Sequence, residues 1–237
     1  MPYRMLMEEL KGLADEKYRD FQLKLIRNPD VQMLGVRTAD LRRIAKRYRT
    51  EQDIVEVLSY PNETYEIRFI LLAVIADWPY EEFKKGMMFA LDEIDNWALC
   101  DSFIPRCIKG NEDRFFLDII YLLTTKKEFY ERFALVMLIK FYINEDYLEG
   151  LFVLAESAHT EMRNVQTAVA WLLSETAAKY YDRCRDYFKA SKLDEKTYSL
   201  AIRKCCESLR LSQEQKTELK DIKKQWQFVK KSEKSST

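Results

Sequence analysis

From Tyr3 to about Gln227, apolar residues return every three or four positions through one segment after another, and short polar turns separate the segments. This is the period of helices that bury one face, and its persistence along the chain excludes most other elements. Only five glycines and five prolines occur in 237 residues. So few turn formers suit long helices and disfavour a sheet of many strands.

Successive helices of roughly 10 to 18 residues joined by short turns imply antiparallel pairs. Apolar pairs recurring at about 35 to 40 residues are the mark of a HEAT-like solenoid. The expected fold is therefore all-α, a HEAT-like α-α superhelix in which residues 1–227 form one repeat domain. A compact helical bundle is the alternative, disfavoured because this many helices exceed what one small bundle packs. The polar, lysine-rich residues 228–237 are expected to be a disordered tail.

Charge excludes little by itself, because 39 basic and 39 acidic residues cancel. A polyanionic partner must be argued from local clusters. The cysteines Cys100, Cys107, Cys184, Cys205 and Cys206 form no C-x-x-C pair and read as reduced thiols of a cytoplasmic protein. His159 is the only histidine, so a histidine-rich zinc site and a histidine-centred triad are both poorly supported. The N-terminus opens no long apolar run, and neither a secretory nor a transmembrane segment is expected.

Two helices with a junction near Gly12 precede the break at Asn28-Pro29-Asp30. Leu34-Gly35-Val36 then leads to Thr38, the expected N-cap of a helix beginning at about Ala39. That helix carries Arg42, Arg43, Lys46, Arg47 and Arg49, with Arg37 ahead of it and Asp40 as its sole acid. It is either a solvated face offset by acids elsewhere or a phosphate-contacting helix with free amides at its start. A short helix is expected around Glu51 to Ser59. The segment from Tyr65 to Asp77, apolar nearly all round, should be buried.

Four positions could carry chemistry. In Asn96-Trp97-Ala98-Leu99-Cys100-Asp101, helical spacing places Trp97 and Asp101 one turn apart, with Asn96 or Asp95 as cap and Pro105 bending or ending the helix. The pair is either a core tryptophan beside an exposed acid or a site that holds an electron-poor sugar ring against a negative charge. Arg132 and Lys140, eight residues apart on one apolar helix, either snorkel to solvent or reach a partner. Trp171, after the small residues of Ala168-Val169-Ala170, either packs in the core or offers its face where a helix can be closely approached.

W-x-x-x-D at Trp97 and Asp101, an arginine opening an apolar helix at Arg132, A-V-A-W ending at Trp171, and Leu34-Gly35-Val36-Arg37-Thr38 before a basic helix stand in the order and spacing of the AlkD-type DNA alkylation repair glycosylases. The chain resembles that family over about residues 15 to 210. It departs at Ala98 and Ser174, where several members carry an aromatic and a basic residue, and near Ile26, where an aromatic is expected.

The resemblance implies a monomeric glycosylase that excises N3- or N7-alkylated purines from double-stranded DNA without a metal or cofactor. Asp101 would stabilise the oxocarbenium-like transition state and position water, while Trp97 and Trp171 packed on the sugar. Arg132, Lys140, Arg37, Thr38 and Arg42 would hold phosphates. A non-catalytic HEAT-like module that binds damaged or branched DNA, and a helical protein-binding scaffold, are the alternatives.

Overall fold

The computed structural model describes residues 3–47, 59, 61 and 63–235, with 231–235 described as backbone only. Among the described residues there are thirteen α-helices, one 3-10 turn and no strands, the all-α architecture that the apolar period implies. The helix expected from about Glu51, and Arg49 of the basic helix, lie outside the described residues. The chain forms two compact units, Met1–Asn111 and Glu112–Thr237.

In the first unit the helices are α1 (Tyr3–Gly12), α2 (Glu16–Ile26), α3 (Thr38–Ala45), α4 (Tyr65–Ile75), α5 (Tyr80–Asp92) and α6 (Trp97–Ser102), followed by the 3-10 turn Arg106–Ile108. Asp15 caps α2 by accepting the Tyr18 amide, and Thr64 caps α4 by accepting that of Ile67. Buried residues cover most of the surface of α4, which packs on α3, α5 and α6.

One residue of α4 breaks its apolar pattern. Glu66 is fully buried, and its carboxylate accepts the backbone N–H groups of Leu34 at 3.0 Å, Gly35 at 2.8 Å and Val36 at 3.3 Å. A buried carboxylate needs such donors, since an unpaired one would be costly to dehydrate. The loop ahead of α3 is thereby fastened to the core helix. Gly35 is required here because its φ is +95° and a β-carbon would lie 2.3 Å from the Asp15 carbonyl oxygen.

In the second unit the helices are α7 (Glu112–Leu122), α8 (Glu128–Phe141), α9 (Leu148–Ser157), α10 (Arg163–Lys179), α11 (Tyr181–Ala190), α12 (Glu195–Glu207) and α13 (Gln213–Ser235). Helix α10 packs on both α8 and α12, whose starts lie 35 residues before and 32 residues after its own. That stacking of one helix from each pair is the local geometry of a helical repeat.

The tail departs from expectation. Helix α13 continues to Ser235, so the stretch from 228 that reads as a disordered tail is helical to that point. Its anchor is Trp226, which stacks on Tyr198 at 4.1 Å between ring centroids and donates its indole N–H to the Ser191 carbonyl at 3.0 Å. Lysine and glutamine favour a helix once one face is held, which a reading from charge alone underweights.

Candidate active site and nucleic-acid interface

The position of α6 is fixed by polar contacts at its start. Asn96, almost fully buried, accepts the amides of Ala98 and Leu99, both at 3.0 Å, and so is the cap. Its side-chain amide donates to Asp95 Oδ1 at 2.7 Å, and Asp95 also pairs with Arg68 of α4. Asn28 donates to the Asp95 carbonyl oxygen at 3.0 Å. Leu99, Cys100 and Phe103 supply the buried side chains beneath. The helix stops at Ser102, three residues before Pro105, since a residue preceding proline is driven to extended backbone.

Trp97 and Asp101 are both half-buried on this short helix. The indole N–H of Trp97 donates 3.3 Å to the Leu25 carbonyl oxygen in the last turn of α2, one of the acceptors a helix end leaves unsatisfied. Asp101 lies in the last turn of α6. A helix C-terminus disfavours a carboxylate and favours a cation, so both the backbone and the side chain attract positive charge at this place.

The basic run around α3 is largely offset by acids, two of them distant in sequence. Arg37 pairs with Asp15 at 2.7 Å and covers the Tyr18 ring at 4.1 Å, Arg43 meets Asp40 at 3.0 Å, and Arg47 forks onto Glu9 at 2.6 and 2.8 Å. The Arg47 pair holds the Glu9 carboxyl below its ordinary range, against the opposing effect of desolvation. The amide of Tyr18, then Arg37, does the same for Asp15. Arg42 is exposed. Thr38 is not the cap: Arg37 occupies that position without a side-chain bond, and Thr38 is the first helical residue.

In the second unit Arg132 does not snorkel. It is 6 % exposed, and its Nη1 donates to the Asn164 carbonyl oxygen at 2.8 Å and to Thr167 Oγ1 at 3.0 Å. One turn earlier, Glu128 accepts the Asn164 amide at 2.8 Å. Between them Glu131, fully buried, accepts both the backbone amide and Nδ1 of His159, at 3.0 and 2.7 Å. The start of α8 is thus a polar latch on the loop before α10 and on its first turn. Any phosphate contact by Arg132 is made from a largely buried guanidinium.

Lys140 is exposed, and its ammonium stands 5.4 Å from the ring centroid of Trp171, which is half-buried on α10. The Trp171 indole N–H donates to Glu175 Oε1 at 3.1 Å. Ser174, one of the departures noted in the sequence, is buried at 6 % exposure beside the Cys205 thiol and faces inward. Ala98 is half-buried and Ile26 buried. Among the described residues, no group of three histidine, cysteine or acidic side chains is placed to hold a metal ion, and no helix is long and apolar enough to cross a membrane.

Glu66, Glu131, Glu175 and Arg210 are the polar residues that sequence reading passes over. A lone acid within an apolar helix is the signal that could have marked Glu66, since such a residue needs buried donors.

Fold and side chains together define a helical-repeat protein that presents half-buried indoles, each one helical turn from an acid. The family model of DNA alkylation repair enzymes matches residues 6–209, and the chain belongs to that family. Among curated proteins, none matches it. Its role is accordingly enzymatic repair of alkylated DNA, with DNA as the partner.

Proposed function

We propose that the chain is a DNA glycosylase that hydrolyses the N-glycosidic bond of N3- or N7-alkylated purines in duplex DNA. The observation that carries this reading is Asp101, a half-buried carboxylate at the C-terminal end of a firmly capped helix, one turn from the Trp97 indole.

Alkylation at N3 or N7 leaves the purine cationic, so it departs as a neutral base and needs little proton transfer to the leaving group. Breaking the bond between C1′ and the purine leaves positive charge on the deoxyribose. Asp101 stabilises that charge and orients a water that adds to C1′, and the water's surplus proton passes to the carboxylate or to solvent. Trp97 and Trp171 offer indole faces, whose quadrupoles favour cationic and polarised C–H groups. Lys140, Arg132, Arg37, Thr38 and Arg42 contact the phosphates, which supplies affinity without sequence preference. The protein works as a monomer in the cytoplasm.

A non-catalytic module that binds damaged DNA would use every one of these residues except Asp101, which would only repel phosphate. Mass spectrometry of purines released from N7-methylguanine duplex separates the two readings: release that is lost in Asp101→Asn supports the enzyme, and no release by the wild-type protein removes it.

A further inference from the structure

Trp171, like Trp97, has an acid four residues further on, but it uses that acid. Glu175 accepts the Trp171 indole N–H through Oε1 at 3.1 Å and the Arg210 guanidinium Nη2 through Oε2 at 2.6 Å. A single carboxylate therefore joins the middle of α10 to the turn after α12. That turn is ordered by its own contact, the Arg210 amide donating to Ser208 Oγ at 3.2 Å. Arg210 stands one residue beyond the segment that the family model matches.

The pair is substantially exposed, Glu175 at 30 % and Arg210 at 54 % of their side-chain surface, so it contributes little to stability. Its effect is on geometry and charge. With its N–H fixed, the indole loses rotation about its own side-chain bonds, so its plane is set before a ligand arrives. A carboxylate on the N–H also draws positive charge away from the ring and deepens the negative face that attracts cations. Lys140 already lies over that ring. Glu175 and Arg210 share with Lys140, Lys179 and Asn144 an open depression of about 490 Å³, in which three cations surround one acid.

We propose that Glu175 and Arg210 are positioning residues for Trp171: Glu175 fixes the indole plane and polarises it, and Arg210 holds Glu175 in place. This rests on the reading that Trp171 packs against DNA.

The test is a double-mutant cycle between Glu175→Ala and Trp171→Ala, read as single-turnover release of N7-methylguanine and, separately, as the Kd for the methylated duplex. Glu175→Ala is expected to cost about tenfold and Arg210→Ala about threefold, with melting temperatures near that of the wild type. In the Trp171→Ala background, Glu175→Ala should cost almost nothing more. Glu175→Gln, whose amide oxygen still accepts the indole N–H, should recover most of the loss. Losses that multiply in the double mutant, or wild-type behaviour of Glu175→Ala, overturn the proposal. If no purine is released but the binding cycle is non-additive, the glycosylase reading falls and the positioning role stands; release with an additive cycle gives the converse.

Discussion

Trp97 in the first unit and Trp171 in the second each stand on a helix with an acid four residues further on, and the two pairs are wired differently. The Trp171 indole N–H is held by its own acid, Glu175. That of Trp97 goes instead to the backbone of α2, at the Leu25 carbonyl, although Asp101 stands one turn away. In the second unit the acid is part of the aromatic's mounting. In the first the mounting is backbone, and the indole does not draw on the Asp101 carboxylate. Identical spacing thus yields an anchor in one place and a candidate reactive group in the other.

The largest expected effect on stability lies in the core of the first unit, at the buried Glu66. Glu66→Ala leaves three backbone N–H groups without their acceptor and should cost at least about 3 kcal/mol in urea unfolding. Unfolding equal to wild type would detach the loop before α3 from the mounting of the first unit. Gly35→Ala should follow at about 2 to 3 kcal/mol, from left-handed strain and the contact with the Asp15 carbonyl oxygen, measured in the same way.

Arg132 and Lys140 sharpen the contrast within the second unit. Arg132→Ala removes a buried donor from Asn164 and Thr167 and should lower stability by about 1 to 3 kcal/mol as well as weaken duplex binding. Lys140→Ala should leave melting unchanged and reduce the slope of log Kd against log salt by about one, seen by titration at several salt concentrations. An unaltered slope would take Lys140 off the DNA. Smallest is Trp97→Phe, which keeps an aromatic face and loses one long hydrogen bond, for less than about 1 kcal/mol in the same unfolding assay.

How much of this was legible follows from range. The helices, a cap at Asn96 or Asp95 and the Trp97/Asp101 spacing depend on residues within a few positions of each other, so the sequence displays them. Charge pairing is only half displayed: the basic run from Arg37 reads either as a solvated face offset by acids elsewhere or as a phosphate surface, and nothing local says that Asp15 and Glu9, tens of residues earlier, are the acids that lie against it. Arg132 reads either as snorkelling to solvent or as reaching a partner, because apolar neighbours give no hint that Asn164 and Thr167 will meet its head. Glu175 reads as one more acid on a helix surface, and only the arrival of Arg210 from the next helix pair distinguishes it.

The role of Asp101 is tested most directly by mass-spectrometric quantification of free N7-methylguanine released from methylated duplex by the wild-type protein and Asp101→Asn, with duplex affinity measured on the same preparations. The expected result is a loss of release of about 10²- to 10³-fold with unchanged or tighter binding, because charge stabilisation is removed while the phosphate contacts stay. Full release by Asp101→Asn would contradict the assignment.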